Sequence, residues 1–325
     1  MIPNLWYAVA ESREVKPGKP LGLRRGGEDL VFWRERDEKI VVMRDRCPHR
    51  SAQLSLGKIV QGEIECPFHG FRYDSTGALT LSPANGRNGP KPSIFQCGTK
   101  VARELHGLIW LWNGDPQPDY PPLPWFDDLE GFTWSSFQVH WDTDHTRVIE
   151  GMLDVSHLPF VHSRTIGPGR KTLVNGPYTT LEAGRIRVWV SNQPDAGLPA
   201  IKPTELPPPE SPPGLLFNFP NLWQLRLSEK MRLVNVVAPV DDENVVIYTR
   251  TYQAFTKNPW IGGAITRWTN ILNRYILNED YRVTRSQRPK KSGLEIGENF
   301  IPADRPIALY LRQRRDMMCN GRRDA

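Results

Sequence analysis

The chain has 325 residues, with 42 Lys and Arg against 36 Asp and Glu, seven His and four Cys, a formal net charge of +6. No run of 18 apolar residues occurs, which excludes a membrane-spanning helix. The cysteines are too few for a disulfide scaffold, and the basic residues are too scattered for a nucleic-acid surface. The start, Met1-Ile2-Pro3-Asn4-Leu5-Trp6-Tyr7, carries no basic stretch followed by an apolar core, so the expected compartment is the reducing cytoplasm.

The first hundred residues read as short strands. Leu30–Trp33 and Lys39–Met43 flank a turn at Glu35–Glu38. Glu63–Glu65, Gly70–Asp74 and Gly107–Trp112 follow between Gly and Pro turns. This pattern predicts an all-β domain. Asn113–Pro124 is too rich in Pro for a helix or a central strand, so it marks a boundary between domains at 1–115 and 116–325. Beyond it the chain predicts a helix over Arg147–Leu158. Strands are expected at 179–181, 185–191, 215–218, 222–227, 231–238 and 244–255, and a surface loop or lid at Pro203–Pro213. One long helix should run from Pro259 to about Arg285, with Trp268, Ile271, Leu272, Tyr275, Ile276 and Val283 on one side. Strands followed by a long helix give an α+β fold.

Two constellations carry chemistry. Cys47-Pro48-His49 precedes Cys66-Pro67-Phe68-His69 with sixteen residues between the halves. Zinc sites built from two Cys and two His favour C-x2-4-C and H-x3-5-H pairs, so the mixed pairs fit zinc poorly. They suit a [2Fe–2S] cluster with both thiolates on one iron and both imidazoles on the other, the Rieske arrangement. Cys97 and Cys319 have no partner at metal spacing and read as inert.

The second constellation is Asp154-x2-His157-x4-His162. Asp154 and His157 would share a helix face. Five residues turn an ideal helix by about 140°, so His157 and His162 cannot face one ion from a regular helix. Pro159 should end or distort the helix and let His162 swing back. No His follows His162, so a mononuclear iron with open positions needs a downstream carboxylate. Glu279 and Asp280 both lie on the long helix, and spacing does not choose between them.

These residues bring out a resemblance to the Rieske non-haem iron oxygenases over essentially the full length. It is carried by Asn4-Leu5-Trp6-Tyr7, both cluster loops, Gly107–Trp112, Asp154–His162 and Glu279–Gln287. The resemblance implies an N-terminal Rieske domain and a C-terminal helix-grip (START-like) catalytic domain, a curved antiparallel sheet around the long helix. It implies Asp280 as the third iron ligand beside His157 and His162, with Glu279 outside the coordination sphere or facing a partner. It also implies that Asp154 bridges the cluster histidine of one subunit to the iron-binding histidine of the next, hence a ring-shaped homotrimer. Gly151 stands where the family often has Asn, which removes a side-chain hydrogen bond near the iron.

The expected function is the terminal oxygenase of a monooxygenase or demethylase that uses O2. Electrons would come from NAD(P)H through a reductase or ferredoxin, and Arg44, Arg46, Arg50, Lys58 and Arg72 could steer an acidic donor. The alternatives are an electron-transfer protein with a ligand-binding second domain and a cis-dihydroxylating dioxygenase. The small organic substrate, aromatic or polycyclic, is expected to meet Phe217, Phe219, Trp223 and Gln224, although the aromatic three serve equally as core.

Overall fold

A computed structural model describes residues 1–167 and 169–320. The chain divides into two compact units. The first holds Pro3–Tyr120 together with Pro239–Asp241, and the second holds Pro121–Ala238 and Asp242 onward. The division therefore falls a few residues beyond the expected boundary, and a short segment of the second half returns to the first unit.

The first unit has eleven strands in three sheets among the described residues. Strands β1 (Leu5–Glu11), β10 (Ala102–Leu105) and β11 (Leu108–Asn113) form one sheet in the order β1-β11-β10. A four-stranded sheet runs β2 (Leu21–Arg25), β3 (Glu28–Arg34), β4 (Ile40–Arg44) and β9 (Thr99–Lys100). A second runs β5 (Lys58–Val60), β6 (Glu63–Glu65), β7 (Arg72–Tyr73) and β8 (Leu79–Leu81). Val31, Trp33, Val41 and Met43 pack with Leu54, Ile64 and Tyr73 into a core that also holds Cys47, Cys66 and Cys97.

The second unit is built on a seven-stranded sheet. Its strands are β12 (Thr133–Trp141), β14 (Tyr178–Glu182), β15 (Arg185–Trp189), β17 (Leu215–Asn218), β18 (Leu222–Ser228), β19 (Met231–Pro239) and β20 (Val245–Gln253). They lie in the order β12-β20-β19-β18-β17-β15-β14, and β13 (Leu173–Val174) pairs with β16 (Asn192–Gln193) apart from it. Among the described residues four helices accompany the sheet: α1 (His145–Leu153), α2 (Leu158–Val161), α3 (Pro259–Thr284) and α4 (Arg305–Asn320). Helix α3 packs on β12 and β20, α4 packs on β14 and β15, and α1 touches both helices. The sheet thus carries two long helices where one was expected.

Helix α3 starts where its sequence says it should. Asn258 Oδ1 accepts the backbone N–H groups of Trp260 and Ile261, and Pro259 fills the first helical position. Its facing is the reverse of a simple amphipathic helix. Trp268, Ile271, Leu272, Tyr275 and Val283 are exposed, Trp268 by 75%. The buried side is mostly polar, with Thr266, Asn270 and Asn273. Thr251 Oγ1 donates to Asn270 Oδ1 at 2.6 Å, Asn273 Nδ2 donates to Thr251 Oγ1 at 2.9 Å, and Asn270 Nδ2 donates to Ser135 Oγ at 2.9 Å. Each buried polar atom in this chain of bonds has a partner, which is what lets a polar face dock on a sheet. No helix among the described residues is long and apolar enough to cross a membrane.

Candidate metal centres

The two cluster loops are tight turns closed by backbone bonds. Cys47 N donates to Ala52 O and Ser51 N to Cys47 O. In the second loop Cys66 N donates to Phe71 O and Gly70 N to Cys66 O. Gly70 has a φ of +70°, which favours glycine there. Both sulfurs are buried as free thiols, His49 is half-buried and His69 is exposed. The imidazole centroids lie 4.7 Å apart, and His49 stacks on Phe71 at 4.6 Å. Two sulfur donors on a buried floor and two nitrogen donors at an outer rim fit a [2Fe–2S] cluster with mixed ligation. The Tyr73 hydroxyl lies 3.2 Å from Cys47 Sγ and would donate to a thiolate there, the kind of bond that tunes such a cluster. Burial pushes the Cys97 thiol up to about 12, which keeps it protonated and unreactive.

Most of the expected basic surface near the loops is already neutralised. Arg44 pairs with Glu28, while Lys58 and Arg72 share Glu65. Arg46 donates to Ser51 Oγ and Arg50 lies over the Phe68 ring. Among the described residues these last two have no carboxylate partner.

In the second unit, α1 does not continue to His157. It stops at Leu153, and Asp154 caps it in an extended conformation with its side chain turned onto Ser156, whose N and Oγ each donate to Oδ1 at 2.7 Å. Such local bonds compete with the helix. The chain restarts as α2 with His157 as its N-cap, His162 as its C-cap and Pro159 in its first turn. Pro159 therefore opens a helix and does not end one, because its missing N–H is no loss at that position. The break expected at Pro159 lies at 154–156, so Asp154 and His157 do not share a helix face.

The result still brings both histidines to one point. One donor atom from each of His157, His162 and Asp280 lies within 4.8 Å of the others. Asp280 Oδ1 is 2.9 Å from His162 Nε2 and 3.6 Å from His157 Nε2. Glu279 is on the far side of the same imidazole, its Oε2 at 2.9 Å from His162 Nδ1 and accepting from Thr165 Oγ1 at 2.7 Å. A carboxylate is acceptor-only, and neutral imidazole has one donor nitrogen. With acceptors at both nitrogens, His162 needs a proton or a metal ion between Nε2 and Asp280. Burial pushes its pKa down, but Asp280 and Glu279 outweigh burial and raise it. A cation is thus called for where the three donors converge, and two imidazoles with one carboxylate are the set that holds Fe(II) with open positions.

His157 is held differently. Its Nδ1 is buried, 3.8 Å from Asp154 Oδ2 and without a hydrogen bond. Burial works to raise the Asp154 pKa, and the contacts with His157 and Ser156 outweigh it, so the group is held below its ordinary value. Beside Asp154 opens a cavity of about 410 Å³ lined in part by Glu150, Gly151, Glu298, Phe300 and Asp304. Gly151 borders it, and a Cβ there would meet only Thr284 Oγ1 at 3.9 Å.

The four suggested substrate residues do not line one wall. Phe217 and Trp223 are directly paired across β17 and β18 and share a face, while Gln224 points the other way. Phe217 and Phe219 pack on Tyr310 of α4, with centroids at 5.5 and 5.6 Å. Trp223 Nε1 donates to Met152 O at 2.7 Å. Gln224 binds Asp128 and borders a separate space of about 240 Å³. Grouping Gln224 with the aromatic three is therefore corrected by strand alternation. Thr165 and Tyr310, which touch these sites, were not foreseen; the apolar spacing of Ile307, Tyr310 and Leu311 was the available signal for α4.

Comparison with known proteins agrees with this geometry. Residues 5–101 match the Rieske [2Fe-2S] domain, and residues 141–318 match the vanillate O-demethylase oxygenase C-terminal domain. The chain belongs to the Rieske non-haem iron oxygenases. Among curated members of that family, it is 31% identical to the vanillate O-demethylase oxygenase subunit of Pseudomonas sp. over 190 residues, 57% of this chain and 51% of the relative. It is 30% identical to the dicamba O-demethylase oxygenase component of Stenotrophomonas maltophilia over 170 residues, 50% of this chain and 48% of the relative. The match spans about half the length of these relatives. Among solved structures, Pseudomonas putida CBB5 NdmA with caffeine superposes with a TM-score of 0.75 at 25% identity, over 96% of this chain and 90% of that one. Apo dicamba monooxygenase shares the fold at a TM-score of 0.73 and 19% identity, over 100% and 99%.

Proposed function

We propose that this chain is the terminal oxygenase component of a Rieske monooxygenase or demethylase, acting on a methylated or otherwise oxidisable organic molecule. The observation that carries the reading is the convergence of His157, His162 and Asp280 in a chain that also holds both Rieske loops. Cys47, His49, Cys66 and His69 would hold the cluster. When bound, the cluster supplies electrons one at a time, and the mononuclear iron supplies sites at which O2 is activated beside a C–H bond.

The protein's own part is to bind and orient. His162 presents Nε2 inward because Glu279 occupies Nδ1. Asp154 sits behind His157 and is the group through which a neighbouring copy's His69 would reach it. The exposed apolar side of α3, including Trp260, Trp268, Ile271 and Tyr275, supports association with further copies of this chain, which we propose is a homotrimer, since apolar surface of this kind marks an interface. A reductase or ferredoxin would pass electrons from NAD(P)H, with Arg46 and Arg50 as the free cations nearest the cluster loops in sequence.

Relatives named as O-demethylases favour a methyl ether as substrate, with an N-methyl group as the second class to test. Hydroxylation of such a methyl gives a hemiacetal or carbinolamine that sheds formaldehyde. The test is turnover under 18O2 with a panel of methoxylated and N-methylated aromatics and a surrogate reductase. One labelled oxygen in trapped formaldehyde, or in an alcohol, is the expected result. A diol carrying two labels would show dioxygenation. Metal analysis giving about three irons per chain supports the reading, whereas only the two of a cluster would favour an electron-transfer protein.

A further inference from the structure

The two iron-binding histidines are backed unequally, and the difference assigns a role to Glu279. His162 is buried, and consecutive residues of α3 clamp its two nitrogens. Asp280 Oδ1 meets Nε2 at 2.9 Å and Glu279 Oε2 meets Nδ1 at 2.9 Å. Consecutive residues on a helix diverge by about 100°, which is how the short Asp and the longer Glu straddle one ring. Glu279 is itself held, because Thr165 Oγ1 donates to the same oxygen at 2.7 Å and Thr165 N donates to His162 O at 2.9 Å. The imidazole and the Thr165 hydroxyl meet at one Glu279 oxygen, and Thr165 is tied back to the His162 backbone carbonyl, so the ring of bonds links the end of α2 to α3. His157 has no such support: its outer nitrogen is 3.8 Å from Asp154 and unbonded.

The geometry points to Glu279 as a positioning residue that fixes His162 as the permanent anchor of the mononuclear metal, by forcing the proton onto Nδ1 and leaving Nε2 free to ligate. His157, backed loosely by Asp154, is the adjustable ligand. A carboxylate behind a ligating histidine sets its tautomer and raises its donor strength, and losing one costs about 10- to 100-fold in metal affinity. The assignment rests on the mononuclear site being a metal site, and it makes a distinction that reading does not. Glu279 should govern how tightly metal is held, while Asp154 should govern turnover without governing metal retention.

The test uses full-length protein with its cluster in place, stripped of mononuclear metal and titrated anaerobically with Fe(II), and separately with Co(II) as a spectroscopic probe. Glu279→Leu should weaken Fe(II) binding by about 10- to 100-fold and alter the Co(II) ligand-field bands. Glu279→Gln keeps an oxygen able to accept from Nδ1–H, so it should retain the wild-type bands and lose only a small part of the affinity. Thr165→Val should fall between them, and Asp154→Asn should bind as wild type does. Folding is checked by the intact Rieske absorption, with Glu279→Gln as the variant that perturbs shape least. Wild-type affinity and bands in Glu279→Leu would overturn the assignment while leaving the metal site standing. So would metal retained by Asp280→Asn but lost from Glu279→Leu, which would make Glu279 the ligand. Failure of the wild type itself to bind either ion would instead remove the mononuclear site.

Discussion

Arg147 is a buried cation whose removal the fold should feel strongly. It is 1% exposed. Its Nη1 donates to Glu150 Oε2 at 3.0 Å, its Nη2 lies 2.8 Å from Glu298 Oε1, and Nε and Nη2 both donate to Pro289 O. Glu150 is also buried and takes a further bond from Ser292. The arginine therefore ties α1, which leads to Asp154, to the segment following α3, which carries Asp280. Replacing it with Met keeps most of the packing but leaves the Glu150 carboxylate buried without its cation. Breaking a buried pair from one side costs about 3–5 kcal/mol, a large part of a typical total of about 5–15 kcal/mol. Glu298 is partly solvated and can rehydrate, so the cost falls mainly on Glu150.

Adding Glu150→Gln removes the stranded charge, and the double variant should lose only about 1–3 kcal/mol, the cost of leaving Pro289 O without its donors. Burial already raises the Glu150 pKa, and loss of Arg147 raises it further. A carboxyl raised in the folded state penalises folding as pH climbs above its unfolded value. The gap between Arg147→Met and wild type should therefore narrow from neutral pH towards about pH 4, as Glu150 takes up a proton. Urea unfolding followed by circular dichroism at both pH values measures this. A double variant no more stable than Arg147→Met, or a single loss under about 1 kcal/mol, would refute the account.

Asp154→Asn should keep the cluster, the fold and mononuclear iron but lose nearly all product formation; wild-type turnover would remove the bridging role. Gly151 is a helix-interior glycine with space at its Cβ position, so Gly151→Ala should stabilise the second unit by about 0.5–1 kcal/mol, read as a shift in urea midpoint. Asp144 caps α1 and is fully buried. Burial pushes its pKa up, but His145 Nδ1 at 3.4 Å and the Thr146 hydroxyl and N–H outweigh this and bring it to about 2. A depressed carboxyl stabilises above its unfolded pKa and loses that contribution as pH falls through the folded one. About 2 kcal/mol should thus disappear between about pH 4 and pH 2, and Asp144→Asn should flatten the slope in that window.

Residue type and spacing pointed to His157 and His162 and left Glu279 and Asp280 open, a choice that only the family resemblance made, and none of these showed the backbone that presents the donors. Cys47, His49, Cys66 and His69 sit on turns whose Pro and Gly residues are visible in the sequence. The limits of α3 were likewise legible, expected from Pro259 to about Arg285 and found from Pro259 to Thr284. What its apolar stripe faces was not, because periodicity reports that a stripe exists and not what it meets. The opposite face docks through Thr266, Asn270 and Asn273, whose partners Thr251 and Ser135 lie far away in sequence. The break before His157 was written locally in Asp154-Val155-Ser156, where a carboxylate can capture the amide two residues on. Pro159 drew attention to the wrong point because a proline that opens a helix and one that ends it look alike until the cap is located.

That displaced break has a consequence for the site. On one continuous helix, His157 and His162 would diverge by about 140°. As the two caps of α2 they sit with ring centroids 5.2 Å apart beneath a single carboxylate. Asp154, released from the helix, turns one oxygen to Ser156 and leaves the other facing His157 across 3.8 Å. A regular helix would have bonded the backbone and left neither the bend nor the open oxygen. The four helical residues between the two histidines thus separate a histidine held by Glu279 from one whose outer nitrogen remains available to Asp154. In the assembly we propose, that second histidine is the one a neighbouring copy would reach, leaving the first held by Glu279.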